Sequence, residues 1–190
     1  MCECEIITDR VVGRDGSGTL FFAWCNLRCQ FCQNYEISQL GDGREVEPEE
    51  LAAMMLSLQE QGCHNINLVS PTHVVPPVLE ALVLAAERGL RLPLVYNTGG
   101  YDSAETLALL DGIIDIYLPD FKYASAEVAA RYSVAADYFE HAGEAIKEMF
   151  FQRPLLVLGP DNIAQQGLII RHLVLPGQVQ NSLGVLDWIA

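Results

Sequence analysis

The sequence is poor in basic residues and has no long apolar run. Its 190 residues include 11 Lys and Arg against 25 Asp and Glu, a formal net charge of −14. A general nucleic-acid binder needs a basic face to displace counterions from phosphate, so this balance argues against nucleic acid as a partner. No apolar run reaches the ~18 residues that a membrane-spanning helix needs, so no membrane span is expected. Residues 1–10 carry acids and cysteines in place of the basic start and apolar stretch of a signal peptide. A cytoplasmic location follows as an expectation, and there the six cysteines are expected as thiols or metal ligands, not disulfides. Residues 13–18 are glycine-rich but lack the Lys-Ser/Thr ending of a phosphate-binding loop, and a turn suffices to explain them. Neither a zinc-protease helix nor a Ser/His/Asp ordering is present.

What is present is an ordinary globular composition, 51% hydrophobic and 19% charged, in which strand-like and helix-like segments alternate. Strands are predicted over residues 19–24, 65–70, 92–98, 113–121 and 167–175. Helices are predicted over 47–61, 74–88, 103–110, 125–151 with a break near Gly143, and 181–190. Pro48 opens the first of these helices, Leu51, Met54, Met55 and Leu58 form its apolar stripe, and Gly62 closes it. Alternation of this kind implies right-handed βαβ units and a parallel sheet, an α/β fold in one domain over residues 1–190. Residues 1–15 are expected as an extended leading segment.

About five strand–helix units are fewer than the eight of a complete barrel. The sequence also stops inside a helical pattern at Trp188-Ile-Ala190. The expectation is therefore a partial barrel, incomplete at its carboxyl end, in a truncated chain. An open sheet completed by a partner is the alternative, since a bare edge strand is usually covered.

The segment Cys25-Asn-Leu-Arg-Cys29-Gln-Phe-Cys32 packs three thiols into eight residues directly after the first predicted strand. Three thiolates so spaced can curl around one metal centre. A structural zinc or an electron-transfer cluster normally takes four protein ligands. A cubane held by three leaves one iron open to a substrate. Inert buried cysteines and a zinc site completed by Cys63, Cys2, Cys4 or a histidine are the competing readings. Under them the chain is a non-catalytic metal-binding or interaction module. Cys63, after a helix-ending glycine, reads as a buried hydrophobe. Cys2 and Cys4 read as a remnant of a cysteine-rich segment.

The Cys-x3-Cys-x-aromatic-Cys pattern, with Phe31 at the aromatic position, resembles the signature of the radical S-adenosylmethionine superfamily. The flanking Gly16-Ser-Gly-Thr-Leu-Phe-Phe22 and Cys32-Gln-Asn-Tyr-Glu-Ile-Ser-Gln39 look like a branch similar to pyruvate formate-lyase-activating enzyme. So do Asn97-Thr-Gly-Gly-Tyr101, Tyr117-Leu-Pro-Asp-Phe-Lys122 and Arg171-His-Leu-Val-Leu-Pro176. The resemblance implies a partial (β/α)6 barrel with Cys25, Cys29 and Cys32 on three irons of a [4Fe–4S] cluster. The fourth iron would chelate S-adenosylmethionine, and an electron from the reduced cluster would break a carbon–sulfur bond to give methionine and a 5′-deoxyadenosyl radical. It further implies an electron donor such as flavodoxin or ferredoxin, and a glycyl-radical protein as substrate.

In α/β barrels the working residues lie at the carboxyl ends of strands. That rule selects Ser70, Thr72 and His73 after the second strand, Asn97 and Thr98 before a glycine pair, and Asp120 and Lys122 after the fourth. Caps for the next helix are the other reading of Ser70 and Thr72, and a surface ion pair that of Asp120 and Lys122. Arg171 and His172 interrupt an apolar strand, so at least one must face a polar cavity. His172 stands as a cofactor-binding candidate below Asn97 and Asp120. Phe31 is expected beside the adenine, and Gln33 and Asn34 at the cluster rim. Many relatives carry Gly-Gly-Glu after the second strand for the methionine amino group, and this chain does not. His64 and His141 read as structural or exposed.

Overall fold

The computed structural model describes residues 9–13 and 16–190. Cys2 and Cys4 lie outside the described residues. In chain order the elements are α1 (Asp9–Val12), β1 (Gly18–Phe21), α2 (Tyr35–Leu40), α3 (Pro48–Glu60) and β2 (Ile66–Val69). A 3-10 turn (Thr72–Val74) leads into α4 (Val75–Glu87), followed by β3 (Leu94–Thr98), α5 (Ala104–Ala108) and β4 (Ile116–Pro119). Then come α6 (Ala126–Ser133), α7 (Tyr138–Gln152), β5 (Val157–Leu158), β6 (Ala164–Leu168) and α8 (Val179–Ile189). Six strands form one sheet in the order β1-β2-β3-β4-β6-β5. Neighbours among β1, β2, β3, β4 and β6 pair in parallel, and β5 closes the edge antiparallel to β6. The fold is α/β with a mostly parallel sheet, consistent with a partial barrel. Among the described residues no helix is long and apolar enough to cross a membrane.

Local chemistry sets the helices. Pro48 begins α3, Glu49 and Glu50 complement its amino-terminal dipole, and the buried Leu51, Ala52 and Met55 face the sheet. In α4 the buried stripe Val75, Val78, Ala81, Leu82 and Ala85 recurs at helical spacing, each Val or Leu contributing about 1.5–3 kcal/mol by leaving water. Ser103 caps α5 by accepting from the Thr106 N–H, and Ser125 caps α6 by accepting from Val128.

Register sorts the strand residues by face. Leu20, Ile66, Leu68, Leu94, Tyr96 and Tyr117 pack against the buried stripes of α3 and α4. On the other face Val95, Ile116, Leu118 and Ala164 form an inner core with Val11 of α1. Asn97 pairs with Leu118, and Asp120 bridges to Arg171, so alternation carries these polar residues to the carboxyl end of that inner face. A one-residue slip would turn them toward the helices.

Five expectations require correction. The leading segment is not wholly extended: α1 inserts Val11 into the inner core, and Asn65 Nδ2 donates to the Val11 carbonyl at 2.7 Å. The first strand ends at Phe21, because Trp24 takes a left-handed backbone conformation (φ 71°). The long helix breaks not at Gly143 but at residues 134–137, where Val134 is left-handed at φ 56°. Gly143 lies inside α7, where a Cβ would meet the Trp188 ring at 3.2 Å, so glycine there serves close packing. The last strand spans Ala164–Leu168, although Ile169 and Arg171 still donate backbone bonds to Tyr117 and Pro119. Finally, β5 and α2 carried no periodic signal, being too short to show one, and β5 makes the sheet mixed.

Candidate active site

The loop after β1 carries the three clustered cysteines, and the rest of the fold holds that loop from several sides. Gln30 N–H donates to the Tyr132 carbonyl at 2.9 Å and Arg28 N–H to Ser133 at 3.2 Å, while Gln30 Nε2 reaches the Arg131 carbonyl at 2.8 Å. The carboxyl end of α6 thus supplies three carbonyls that would otherwise lack partners. On the far side Trp24 N–H donates to Ile37 of α2, and His73 Nε2 donates to the Ala23 carbonyl at 2.7 Å. His73, selected above for a ligand's polar end, instead anchors the loop.

Cys25 and Cys29 pack against an apolar cluster of Leu27, Phe121, Tyr123, Ala129 and Tyr138. Burial raises both thiols; Lys122 pulls both down, and the neighbouring thiols push them back up. Each of the three sulfurs also meets a hydrogen-bonding group: Cys25 accepts from the Leu27 N–H at 3.5 Å, Cys29 from the Ser133 hydroxyl at 2.9 Å, and Cys32 contacts Ser38 Oγ at 3.1 Å. Among the described residues, no three His, Cys, Asp or Glu side chains converge on one ion. A mononuclear zinc needs four donors at about 2.0–2.3 Å, whereas a cluster of several irons spreads its sulfur ligands apart. Three thiols on one loop are one short of the four donors a structural zinc takes, so the donor set fits a cluster better than zinc. Cys63 is buried, as a structural hydrophobe would be.

Behind the cysteines, Asp120 sits between two cations. Lys122 Nζ contacts one carboxylate oxygen, and Arg171 Nε lies 2.8 Å from the other. Burial alone would raise this carboxyl, but Lys122 and Arg171 hold it below its ordinary value. Lys122 is only 8% exposed, so the surface-pair reading does not apply. Arg171 Nη2 also donates to Asn97 Oδ1 at 2.7 Å, joining β3, β4 and β6 at one end of the inner face. Tyr138 pins the same corner from α7: its hydroxyl accepts from the Lys122 N–H and lies within hydrogen-bond reach of the Gly99 and Asp120 carbonyls. Gly100 has φ 80°, and a Cβ there would meet the Asp120 carbonyl oxygen at 2.2 Å. This close approach is why the glycine pair ends β3.

Thr72 and Thr98 are tied to an acid that sequence reasoning missed. Asp102 accepts from Thr98 Oγ1 at 2.6 Å, Thr72 Oγ1 at 2.7 Å and the Tyr96 hydroxyl at 2.9 Å. Burial raises the Asp102 carboxyl against the pull of these three hydroxyls. Both threonine hydroxyl hydrogens are therefore committed inward, and α4 begins without a side-chain cap, so the capping reading of Ser70 and Thr72 also fails. Ser70 lies beside the site in a left-handed conformation (φ 56°), its N–H donating to Asn97.

His172 requires correction. Its Nδ1 donates to the Phe121 carbonyl at 2.7 Å, which leaves Nε2 to accept from Ser182 Oγ at 2.8 Å. With both nitrogens engaged by protein it is structural, linking α8 to the end of β4. Phe31 and Gln33 are exposed on the cysteine loop, and Asn34 precedes α2 without capping it. His141 pairs with Asp137 and packs edge-on to Tyr101 at the surface.

The family model described as the Radical SAM superfamily matches residues 19–152. The chain belongs to the radical SAM superfamily, whose cofactors are a [4Fe–4S] cluster and S-adenosylmethionine. It is 31% identical over 172 residues to an uncharacterized protein of Methanocaldococcus jannaschii, covering 86% of this chain and 46% of that one. The chain thus spans about half the length of that curated relative. Among solved structures, Streptococcus suis SuiB bound to its precursor peptide SuiA superimposes with a TM-score of 0.60 at 12% identity, over 90% of this chain and 36% of that one. Native anSMEcpe with bound AdoMet gives 0.60 at 12%, over 91% and 48%. Methylornithine synthase (PylB) gives 0.54 at 17%, over 90% and 49%. At these identities the likeness is one of fold.

Proposed function

We propose that this chain is the core of a radical S-adenosylmethionine enzyme, with Cys25, Cys29 and Cys32 as the three protein ligands of a [4Fe–4S] cluster. The observation that carries the reading is the placement of three thiols on the single loop after β1, held by the carbonyls at the end of α6 and packed, at Cys25 and Cys29, against the apolar cluster around Tyr123 and Tyr138. When bound and reduced, the cluster supplies the electron that splits S-adenosylmethionine into methionine and a 5′-deoxyadenosyl radical. The protein's own part is to hold the cysteine loop in place; burial raises the Cys25 and Cys29 thiols, and the field of Lys122 offsets part of that rise. Asn97, Asp120 and Arg171 form a polar wall at the open end of the inner face, where a ligand carrying both amine and carboxylate finds complementary charges. Phe31, Gln33 and Asn34 on the cysteine loop and Ser70 after β2 are the further residues this reading assigns to cofactor binding.

The hydrogen donor we infer is a glycine of a partner protein, on the resemblance of the Asn97–Tyr101, Tyr117–Lys122 and Arg171–Pro176 motifs to activating enzymes. SuiB, a fold neighbour, was solved with a peptide bound, which supports a polypeptide as substrate. Flavodoxin or ferredoxin would be the electron source. The test is anaerobic reconstitution followed by iron and sulfide analysis and electron paramagnetic resonance with and without S-adenosylmethionine. About four irons per chain are expected, lost in Cys25→Ala, Cys29→Ala and Cys32→Ala and retained in Cys63→Ala. The reduced-cluster signal should change on adding S-adenosylmethionine, with release of 5′-deoxyadenosine. A cluster indifferent to S-adenosylmethionine overturns the enzymatic reading, and zinc without sulfide overturns the cluster. A protein-borne glycyl radical formed in the partner, with one 5′-deoxyadenosine per radical, tests the finer assignment.

A further inference from the structure

Cys29 differs from its two neighbours in the source of its hydrogen bond. The donor comes not from the loop but from Ser133, 104 residues along the chain at the last turn of α6. Ser133 has one hydroxyl hydrogen, and it points at the sulfur. Its oxygen lies 2.6 Å from the Tyr123 hydroxyl, so the tyrosine must be the donor in that pair. The result is a directed chain, Tyr123 O–H to Ser133 O–H to Cys29 Sγ. Both members are sealed from water, Ser133 at 1% and Tyr123 at 0% exposure. In such surroundings hydrogen bonds in series polarise one another. The position of Ser133 is over-determined, since the Arg131, Tyr132 and Ser133 carbonyls hold the loop that bears Cys29.

Hydrogen bonds to cysteine sulfurs are among the features that set an iron–sulfur potential, because a donor offsets the charge added on reduction. We propose that Tyr123 and Ser133 are positioning residues that raise the reduction potential of the cluster through Cys29. This inference rests on the cluster reading above, and its test separates the two. Reconstituted Ser133→Ala, Ser133→Thr and Tyr123→Phe would be titrated potentiometrically, in the absence of S-adenosylmethionine, with the reduced-cluster resonance as readout. Ser133→Ala should bind the same iron as the unaltered protein, with its reduced-to-oxidised ratio at a fixed potential falling about tenfold, which is 59 mV for one electron. Tyr123→Phe keeps the serine donor but removes its polarising partner, so it should shift the ratio in the same direction by less. Ser133→Thr keeps the hydroxyl and should match the unaltered protein. An unchanged midpoint in Ser133→Ala overturns the inference and leaves the cluster reading intact. If Ser133→Ala does not fold, an unchanged midpoint in Tyr123→Phe does the same. Absence of iron from the unaltered protein overturns the cluster reading itself.

Discussion

Replacing Asp102 tests whether the buried carboxylate organises the wall formed by β2, β3 and the turn after β2. In Asp102→Ala three hydroxyls lose their acceptor. Tyr96 and Thr98 are 1% and 2% exposed and cannot turn to solvent, whereas Thr72 at the rim can. Stranding a buried donor costs about 1–3 kcal/mol; Tyr96 loses its acceptor outright and Thr98 keeps only the 3.3 Å contact to Thr72, so a loss of about 2–4 kcal/mol is predicted. Asp102→Asn keeps the shape and one acceptor. Its amide hydrogens then face Thr98 Oγ1, which already accepts from the Gly100 N–H. Thr98 can reorient toward Thr72 Oγ1 at 3.3 Å, so a smaller loss of about 1–2 kcal/mol follows. The charge adds a pH signature. The folded carboxyl is raised by burial, so its contribution is full below the unfolded value of about 3.9 and is lost as pH rises through the folded value. Asp102→Asn has no such loss, so its deficit against the unaltered protein should be largest in acid and narrow toward neutrality. Urea unfolding of anaerobically reconstituted protein at several pH values measures both effects. A loss below about 1 kcal/mol in Asp102→Ala, within the range of an ordinary surface change, refutes the reasoning. So does a pH-independent deficit in Asp102→Asn.

Lys122→Met removes one of the two cations on Asp120 and should cost roughly 1–3 kcal/mol at neutral pH, less than breaking a fully buried pair because Arg171 remains. The Asp120 carboxyl is held low, so its contribution exists above about 3.9 and vanishes as pH falls through the folded value. The Lys122→Met deficit should accordingly shrink in acid, opposite in sign to Asp102→Asn, and equal deficits in urea at about pH 3 and about pH 7 would refute the pairing. Gly100→Ala places a methyl 2.2 Å from the Asp120 carbonyl oxygen at φ 80°, and a loss of about 3 kcal/mol is expected. That corresponds to a melting temperature lower by roughly 6–12 °C for a chain of this size, measurable by circular dichroism, and an unchanged melting temperature would show that the corner is loose.

Much of the architecture was legible because it rests on local patterns. The stripe of α4, the Pro48 start of α3, the Ser103 start of α5 and the apolar runs of β2, β3 and β4 each carry their signal within a dozen residues. The three cysteines were legible for the same reason, as their eight-residue spacing is itself the chemical signal. Where no local pattern exists the reading failed: β5 is two residues long, and α6 ends at an exposed Val134 in the left-handed cap position that glycine usually marks.

The class of chemistry was legible in the sequence through the resemblance of the Cys25–Cys32 motif and its flanks to the radical S-adenosylmethionine superfamily, a signal contained in a few short segments. The sequence also marked Asn97 and Asp120, since strand ends are predictable from strands. The tertiary structure alone decided which side chains those groups meet. It tied Thr72 and Thr98 to Asp102, turned His172 into a strut between Phe121 and Ser182, and set Arg171 against both Asp120 and Asn97. It also brought Ser133 to Cys29 across 104 residues. Hydrogen bonds are specified by ångström distances between elements, and those distances follow from how the helices and strands pack, which no local pattern encodes.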